Sequence, residues 1–351
     1  MQQNFFDFQR IQNPLLSWYE KEKRDLPWRQ DPTPYRVWVS EIMLQQTRVE
    51  AVKGYYLRFM EALPTVEALA ACEEEKLLKL WEGLGYYSRV RNMQKAAKQL
   101  VAFYGGEFPS DVASLRSLAG IGSYTAGAIA SIAFGMPVAA VDGNVFRVAS
   151  RLEENPTCIS DPKYRKYLET ALSAVYPESK KDCSDFTQSL FELGALICKP
   201  QTPDCPNCPL RTVCLANKNG TQARYPVLPQ KKAKRNEEVY AFLIETPEGF
   251  AIRRREEGVL RGMNELPSRV ITAGETAESV LNEWGMYEFN EVKRKKYKHI
   301  FTHIVWDITC VWVRTETSPF DSYSLEEIEE SISLPTAFKQ CLNILQGYKE
   351  K

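Results

Sequence analysis

Apolar residues recur with the three-to-four-residue spacing of an amphipathic helix through most of the chain before residue 200. Near the start, Phe5, Phe8 and Ile11 are followed at this spacing by further apolar residues up to Tyr19. The segment Arg24–Arg29 is interrupted by a proline and is predicted to be a loop. We therefore expect a mainly α N-terminal region, with one helix each over residues 4–23, 35–47, 66–81 and 89–104 and more than one helix over residues 163–197.

The pattern changes after residue 238. Residues 239–244 and 304–313 are rich in β-branched and aromatic side chains, which is typical of strands. Residues 324–331 and 335–347 return to helical spacing, so the C-terminal region is predicted to be an α+β domain. Residues 217–238 are polar, contain prolines and lysines, and show no apolar periodicity, which favours a linker.

Length and composition favour a protein of two domains, each with its own core. The chain has 351 residues, of which 44% are hydrophobic and 26% are charged, as in soluble globular proteins. It contains no apolar run of about eighteen residues, the length that a membrane-spanning helix needs. Its N terminus lacks the basic start and apolar core of a signal peptide. We expect a cytoplasmic protein.

Charge is balanced overall but unevenly distributed. The formal net charge is zero, and residues 237–351 contain 14 Lys and Arg against 20 Asp and Glu. A basic run nevertheless occurs in this acidic region, from Lys293 to Lys298. Net charge therefore argues weakly against a nucleic-acid partner, while local basic patches leave that function open.

Two short motifs lie close together near the middle of the chain. Leu118–Gly122 is a glycine turn followed by a run of small residues with helical character. Glycines at such a turn let backbone N–H groups approach a ligand, and amides at the start of a helix suit a phosphate. Val141–Asn144 then places the carboxylate of Asp142 beside a glycine, where another helix is predicted to begin.

An acidic residue also interrupts a largely apolar helix face. Helical spacing places Val37, Glu41, Leu44 and Arg48 near one face of the helix predicted over residues 35–47. If Glu41 points into a cavity, low-dielectric surroundings will raise its pKa and keep it protonated near neutral pH, as a general acid requires. The alternative is an exposed glutamate at the edge of an amphipathic helix.

Four of the nine cysteines are clustered with the spacing C-x6-C-x2-C-x5-C, at Cys198, Cys205, Cys208 and Cys214. So many thiols in a short, proline-rich segment indicate metal ligands in a reducing compartment rather than disulfides. The softness of the thiolates leaves a zinc site and a [4Fe-4S] cluster open. The remaining cysteines are scattered and are predicted to be small core residues: Cys72, Cys158, Cys183, Cys310 and Cys341.

Together these motifs resemble the endonuclease III superfamily of helix-hairpin-helix DNA glycosylases. Leu118–Gly122 resembles its hairpin, Val141–Asn144 its catalytic aspartate motif, and Ser40–Thr47 its catalytic glutamate motif. Family members that also act as lyases carry a lysine two residues after the second hairpin glycine, where this chain has Tyr124. The resemblance therefore narrows to adenine DNA glycosylases of the MutY type, and the cysteine spacing matches the superfamily's [4Fe-4S] cluster.

The resemblance implies a domain organisation and a set of site residues. We expect an iron–sulfur helical domain (1–27 and 137–220), a six-helix barrel with the helix-hairpin-helix (28–136), a linker (221–237) and a Nudix-like domain (238–351). The implied catalytic residues are Glu41, Tyr124, Asp142 and Asn144. The implied adenine-binding residues are Arg24, Leu26, Trp28, Arg29 and Gln188, and the neighbouring Glu192 is expected to be structural or a surface cap. The implied DNA contacts are Gln46, Thr47, Tyr86, Gly120, Gly122, Ser123, Phe301, Thr302 and His303.

The implied reaction is hydrolysis of the glycosidic bond of adenine opposite 8-oxoguanine or guanine in double-stranded DNA. Thr302 stands where the family's 8-oxoguanine loop has a serine, and no Nudix box accompanies the Nudix-like region, so pyrophosphate hydrolysis is not expected. We expect a monomer associated with the nucleoid. Two other functions remain open: a pyrimidine-damage glycosylase and lyase of the same superfamily, and a non-catalytic lesion-binding protein.

Overall fold

The computed structural model describes residues 6–230 and 232–345, and the predicted helical positions 4–5 and 346–347 lie outside this range. The chain forms two compact units. The first unit extends to Ala71 and resumes from Ser88 to Gln230. The second unit combines Cys72–Tyr87 with the chain that follows Gln230. None of the helices in the described residues is both long and apolar enough to cross a membrane.

The first unit is helical, as predicted. In chain order, with α6 belonging to the second unit, the helices are α1 (Gln12–Glu22), α2 (Pro27–Gln30), α3 (Pro34–Leu44), α4 (Val49–Ala62), α5 (Val66–Ala71), α6 (Glu74–Leu80), α7 (Ser88–Tyr104), α8 (Val112–Ser117), α9 (Ser123–Ala128), α10 (Gly143–Glu153), α11 (Pro162–Ser173), α12 (Lys180–Leu196) and α13 (Leu215–Asn219). A 3₁₀ turn, Phe8–Ile11, precedes α1, and a π-helical turn, Ile129–Ala133, extends α9.

Two predicted helix boundaries were wrong, at 66–81 and at 24–29. The helix expected over 66–81 is two helices, because the chain becomes extended at Glu73 between α5 and α6. The prediction of more than one helix over 163–197 is confirmed by α11 and α12, and Ser179 caps the second with its side chain. In the predicted loop 24–29, Pro27 starts the short helix α2, since proline suits the first turn of a helix.

Helix α3 is buried on nearly all sides. Thr33 caps its first turn through its side-chain oxygen, and Pro34 occupies the first helical position. From Val37 to Met43 every residue is buried. A polar side chain on this helix therefore faces protein whichever way it points, which explains how Glu41 becomes buried.

One buried cluster of the first unit joins the start of the chain to much later segments. It combines Phe8, Ile11 and Leu15 with residues of α10, α11 and α12. Three of the clustered cysteines, Cys198, Cys208 and Cys214, pack against its edge. Among the scattered cysteines, Cys183, Cys310 and Cys341 are buried as predicted, whereas Cys72 and Cys158 are partly exposed.

The second unit is α+β, as predicted. Its strands are β1 (Arg235–Thr246), β2 (Gly249–Arg254), β3 (Asn264–Glu265), β4 (Ser268–Val270), β5 (Asn290–Ile300), β6 (Ile304–Arg314) and β7 (Asp321–Tyr323). They form one mixed sheet in the order β3-β2-β1-β6-β5, in which β1 and β6 are parallel, β4 also pairs with β1 and β7 pairs with β2. The helices are α14 (Ala277–Glu283), α15 (Leu325–Glu330) and α16 (Thr336–Leu342).

Helices cover both faces of this sheet, because alternate side chains of β1 and β6 point to opposite sides. On one face, Trp306 and Trp312 of β6 belong to a buried cluster with Phe338 of α16. On the other face, Val311 belongs to a second buried cluster with Val280 of α14. Each cluster is built from one face of the central strand pair.

The segment Cys72–Tyr87 is held in the second unit by buried polar contacts as well as by packing. The Lys79 ammonium donates to the backbone oxygen of Ile332 at 3.0 Å. The Ser333 hydroxyl, which is fully buried, donates to the backbone oxygen of Leu78 at 3.1 Å. The loop that follows α6, with Tyr86 at its tip, therefore belongs to the same unit as the sheet.

Candidate active site

A cavity of about 900 Å³ lies within the first unit and is lined by parts of α2, α3, α9, α10 and α12. It brings together all of the residues that the sequence suggested for catalysis and adenine binding, although they are spread over 165 positions from first to last. The predicted residues that line it are Arg24, Leu26, Trp28, Arg29, Glu41, Gln46, Thr47, Tyr124, Asp142, Asn144 and Gln188.

Glu41 points into this cavity and is only 5% exposed. Burial raises the pKa of its carboxyl to about 7, since removing the charged form from water is unfavourable. A hydrogen bond from Tyr124 lowers this pKa, and the nearby Asp142 raises it. The prediction of a carboxyl that is protonated near neutral pH is thus supported by its surroundings.

Tyr124 is the hydrogen-bond partner of Glu41. Its hydroxyl donates to Oε2 of the carboxyl in a short contact, and its ring lies 5.8 Å from the ring of Phe191. Burial, followed by the charge of Glu41, raises the pKa of Tyr124 well above its usual range. The hydroxyl therefore stays protonated and orients the glutamate. A tyrosine offers no amine that could attack a sugar carbon.

Asp142 is the N-cap of α10, as the sequence predicted. Oδ1 accepts a hydrogen bond from the backbone N–H of Val145 at 2.8 Å, and Oδ2 accepts one from the Asn144 side chain at 2.8 Å. Burial raises the pKa of Asp142, while these hydrogen bonds and the charge of Arg147 favour the ionised form. An ionised Asp142 therefore depends on these hydrogen bonds and on Arg147, because burial acts against the charged form.

The position of Asn144 is fixed by Arg147, which the sequence did not single out. Nη2 of Arg147 donates to Oδ1 of Asn144 and to the backbone oxygen of Gly194, both at 2.8 Å. Nε of the same side chain donates to the backbone oxygen of Cys198 at 2.7 Å. The carboxylate of Asp142 is thus linked through two side chains to the segment that carries the first clustered cysteine.

Glu192 is 1% exposed, so of its two expected roles the surface cap is wrong and a structural role is favoured. The Arg24 guanidinium donates to both of its oxygens, at 2.7 and 2.8 Å, and Arg29 donates to Oε2 at 2.9 Å. Burial alone would raise the pKa of Glu192, but the hydrogen bonds from Arg24 and Arg29 lower it to about 2. The useful signal was its position one turn after Gln188 on α12.

Replacing Glu192 with glutamine should destabilise the protein by about 3 kcal/mol, because it leaves two partly buried arginines without their shared counter-charge. The pKa of Glu192 is lower in the folded state, so its contribution is present above about pH 4.5 and is lost as pH falls towards 2. Urea unfolding at pH 7 and pH 3 measures both effects. The matched control is Glu50→Gln, since Glu50 pairs with Lys53 on the surface and the change should cost less than about 1 kcal/mol. Equal losses in the two variants would contradict the prediction.

The apolar part of the cavity comes from Leu26 and Trp28, which are 2% and 6% exposed. The Trp28 ring packs edge-on against Tyr56 at 5.4 Å, so its orientation is fixed by the core. Gln188 is 9% exposed, and its amide nitrogen donates to the Ser184 hydroxyl at 3.2 Å. The cavity therefore combines flat apolar walls with an amide and two carboxyl groups, which suits a flat, polar-edged base.

The hairpin residues have the backbone geometry expected of them but lie outside this cavity. Gly120 has a φ of 75°, and a Cβ there would approach Cβ of Asn92 to 2.8 Å, so both conformation and space require glycine. Gly122 is the N-cap of α9, and an added Cβ would meet nothing within 4 Å. Ser123 is the first residue of that helix. A DNA-contact role for these residues stays a prediction.

The loop expected to recognise 8-oxoguanine, Phe301–His303, lies in the second unit, as does Tyr86, another implied DNA contact. Tyr86 is 51% exposed, and its hydroxyl is 2.9 Å from the Thr302 hydroxyl. Phe301 is half-buried and packs against the rings of His299, at 4.6 Å, and Trp306, at 4.9 Å. The structure therefore brings Tyr86 together with the loop containing Thr302 and the exposed His303, although about two hundred positions separate them in the sequence.

The four clustered cysteines are partly buried neighbours of one another. Burial raises the pKa of Cys208 to about 12, and the proximity of Cys198, Cys214 and Cys205 contributes in the same direction. The sulfur of Cys198 accepts a hydrogen bond from the Arg151 side chain at 3.3 Å. Among residues 6–230 and 232–345, no three Cys, His, Asp or Glu side chains are arranged as a metal site. In chemical type the donor set, four thiols of one segment at the edge of a core, fits an iron–sulfur cluster.

Comparison with known proteins places this geometry in a family. The family described as HhH-GPD superfamily base excision DNA repair protein matches residues 39–174, and the NUDIX domain family matches residues 239–343. The adenine DNA glycosylase of Buchnera aphidicola subsp. Baizongia pistaciae is 31% identical over 306 residues, covering 85% of this chain and 84% of that protein. The chain belongs to the adenine DNA glycosylase family.

Other members of the adenine DNA glycosylase family extend beyond the matched region. The Rattus norvegicus adenine DNA glycosylase is 43% identical over 235 residues, which are 64% of this chain and 45% of that protein. The chain thus spans about half the length of the first curated relatives that it matches. The Schizosaccharomyces pombe relative is 31% identical, with 85% of this chain and 80% of the relative covered.

Solved structures share the helical fold of this family member. A thermostable thymine-DNA glycosylase is 27% identical with a TM-score of 0.55, covering 60% of this chain and 97% of that chain. A non-covalent endonuclease III–DNA complex is 28% identical with a TM-score of 0.51, covering 61% and 96%. These matches, with the NUDIX domain match, confirm the predicted fold: a helix-hairpin-helix glycosylase region followed by a Nudix-like domain.

Proposed function

We propose that this protein hydrolyses the N-glycosidic bond of adenine opposite 8-oxoguanine or guanine in double-stranded DNA. The observation that carries the proposal is the arrangement of Glu41, Tyr124 and Asp142 in one cavity with the flat walls of Leu26 and Trp28. A protonated carboxyl and a hydrogen-bonded carboxylate near an apolar slot are the groups that such a hydrolysis requires. One copy of the chain contains all of these groups, so we propose that a monomer acts.

In the proposed mechanism the adenine is first extruded from the duplex, at a cost of about a few kcal/mol, into the cavity. Leu26 and Trp28 pack on its faces, while Gln188 and the Arg24–Glu192 pair lie at its polar edge. Glu41, oriented by Tyr124, donates its proton to the five-membered ring of adenine, and the protonated base becomes a good leaving group.

As the glycosidic bond breaks, positive charge develops on the sugar. Asp142 is held by Val145 and Asn144 in a fixed position from which its negative charge can stabilise the oxocarbenium-like sugar. Water then adds to the sugar and gives up a proton to the Glu41 carboxylate, which completes the hydrolysis and restores the acid. The product is an abasic site in an uncut strand, because Tyr124 occupies the position of the lysine that would open the sugar in a lyase.

A single-turnover assay on end-labelled duplexes tests this proposal. We expect strand breaks only after alkali, and only at adenine opposite 8-oxoguanine or guanine. A duplex with a damaged pyrimidine serves as the specificity control. Breaks that form without alkali, or at the pyrimidine, would replace the proposal with a bifunctional pyrimidine glycosylase and lyase.

We propose in addition that Cys198, Cys205, Cys208 and Cys214 hold a [4Fe-4S] cluster with a structural role. Four thiolates from one segment suit iron and sulfide, and the cluster would tie this segment to the core that it borders. Protein purified without oxygen should contain about four iron atoms and four sulfides per chain, with visible absorption. Cys205→Ser should lose iron, whereas Cys158→Ser, at a scattered and partly exposed cysteine, should not. Zinc without sulfide would contradict this proposal.

The loop containing Thr302 is proposed to favour 8-oxoguanine over guanine opposite the adenine. The Thr302 hydroxyl, which meets Tyr86, is available to a base edge or phosphate because both side chains are exposed. Thr302→Val keeps the shape of the side chain but removes the hydroxyl. It should lower the ratio of the 8-oxoguanine rate to the guanine rate about tenfold, which is near the lower end of the discrimination that one base contact provides. Thr317→Val, an exposed threonine of the same unit, is the matched control.

Point variants suit this test better than deletion of the C-terminal domain. The buried bonds of Lys79 and Ser333 hold Cys72–Tyr87 in the second unit, so a truncated chain would expose the apolar side of α6. The ratio of the rates opposite 8-oxoguanine and guanine decides the outcome. If Thr302→Val leaves this ratio unchanged and equal to that of the Thr317 control, the loop does not read the opposite base.

A further inference from the structure

The C-terminal end of α3 is capped by the side chain of Arg89, which belongs to another helix. Nη1 of Arg89 donates to the backbone oxygens of Ile42 and Gln45, both at 2.6 Å. Carbonyl groups at the C-terminal end of a helix lack partners within the helix and carry partial negative charge, so a guanidinium there satisfies both needs. Arg89 is the second residue of α7, which brings the start of that helix to the end of α3.

Immediately after this cap the chain adopts an unfavourable conformation. Gln46 has a φ of 61°, in the left-handed region that side chains other than glycine rarely occupy. Gln46 is exposed, so its own packing does not hold it there. A strained exposed residue persists when neighbouring contacts determine its backbone, and the nearest strong contact is that of Arg89 with the preceding residue, Gln45.

Arg89 also lies where three segments meet. A cavity of about 170 Å³ is lined by the end of α3, the start of α7 and the hairpin glycine Gly120. Gly120 lies close against α7, because an added Cβ there would approach Cβ of Asn92 to 2.8 Å. Gln45, Arg89 and the hairpin glycine thus border the same small cavity.

Glu41 does not depend on this contact in the same way. Its carboxyl is oriented by Tyr124 from α9, and the surrounding part of α3 is buried on all sides. Loss of Arg89 should therefore disturb the exposed turn after α3 more than the carboxyl one turn before it. The two effects can be separated by experiment.

We propose that Arg89 is a positioning residue for base extrusion: it holds the Gln45–Thr47 turn in a strained conformation that presents Gln46, a DNA contact implied by the resemblance, to the duplex. This inference rests on the proposed function and deepens it, since it assigns to Arg89 the step before glycosidic cleavage. Arg89 contacts neither the base nor the sugar in this account and acts only through the turn.

The test compares two adenines that differ in how firmly the duplex holds them. Single-turnover excision is measured for adenine opposite guanine and for adenine opposite a tetrahydrofuran abasic analogue, where no pairing has to be broken. Arg89→Met, which keeps the stem but removes the donors, should slow the first reaction about tenfold or more and the second by less than about threefold. Arg89→Lys retains a cation and should recover part of the first rate.

Two further readouts separate positioning from general damage. The fluorescence of 2-aminopurine in place of the target adenine should rise on binding of the wild type and rise less with Arg89→Met. The matched control, Lys98→Met, removes an exposed cation from the same helix and should change neither rate. Equal slowing on both duplexes, or no slowing with either Arg89 variant, would overturn the inference. If the wild type excises neither adenine, the proposed function itself fails.

Should Arg89→Met fold poorly, Arg89→Lys carries the test. A lysine ammonium has a longer distance to reach to the two carbonyl oxygens than the guanidinium. Arg89→Lys should therefore still slow excision of the adenine opposite guanine selectively, by less than Arg89→Met does. A lysine variant with full fluorescence change and full rate on both duplexes would show that the two hydrogen bonds are not needed for extrusion.

Discussion

Replacing Glu41 with glutamine should lower the single-turnover rate of adenine excision by about 10²–10⁴-fold, the usual contribution of a general acid. The amide keeps the shape of the carboxyl and can still accept a hydrogen bond from Tyr124, but it has no acidic proton to give to the base. The measurement is the release of adenine from a duplex with adenine opposite 8-oxoguanine, at saturating enzyme. A variant that kept more than about a tenth of the wild-type rate would contradict the assignment.

The pH dependence gives the same prediction a second test. Because burial raises the pKa of Glu41 to about 7, the wild-type rate should fall as pH rises through that value, and the residual rate of Glu41→Gln should not. The stability that this carboxyl contributes should fall over the same pH range as the activity. The folded state favours the protonated carboxyl, so this contribution is complete below about pH 4.5 and is lost as pH rises through about 7. At pH 8 the glutamine variant should therefore be the more stable protein. Glu50→Gln, on the surface, should show neither effect.

Replacing Asp142 with asparagine should leave binding of the substrate duplex nearly unchanged and lower the excision rate by about 10²–10³-fold. Asparagine is as good an N-cap as aspartate, so the bond to the Val145 N–H that starts α10 can be kept. The negative charge that would stabilise the oxocarbenium-like sugar is lost. The expected result is thus a protein that binds but does not turn over.

Asp161→Asn is the matched control for this change. Asp161 caps α11 through a hydrogen bond to the Lys163 N–H, so the control makes the same substitution at another helix N-terminus of the same unit. Duplex affinity and single-turnover rate are measured for both variants. Equal rates in both variants, or a loss of affinity that accounts for the slower rate of Asp142→Asn, would show that Asp142 serves only as a cap.

Local sequence patterns were sufficient for features that depend on a few neighbouring residues. Asp142 is an N-cap because a carboxylate beside Gly143 can accept the first free N–H groups of a helix, and this requires nothing from distant parts of the chain. The glycine at 120 follows from a backbone conformation with positive φ. The apolar stripe around Glu41 left a buried carboxyl and an exposed one open, and the structure decides for burial.

Helix boundaries and the distant partners of side chains were harder to predict from the sequence. The helical spacing from 66 to 81 is continuous across Cys72 and Glu73, yet the chain extends there and its two halves join different units. Periodicity measures which face of a helix is apolar, but it does not say which core that face will meet. For the same reason Glu192 could be taken for a surface residue, although Arg24 and Arg29 bind it from about 165 positions away.

The sequence by itself was sufficient for the fold class, and the resemblance carried by its motifs singled out the two carboxyl groups and the tyrosine in place of a lysine, because a motif depends only on residue type and spacing. The tertiary structure alone decided what surrounds these groups. It placed Tyr124 on Glu41, Arg147 on Asn144, and the loop of Tyr86 beside Thr302. These contacts join segments far apart in the chain, and their hydrogen bonds and pKa shifts exist only once folding has removed water from around them.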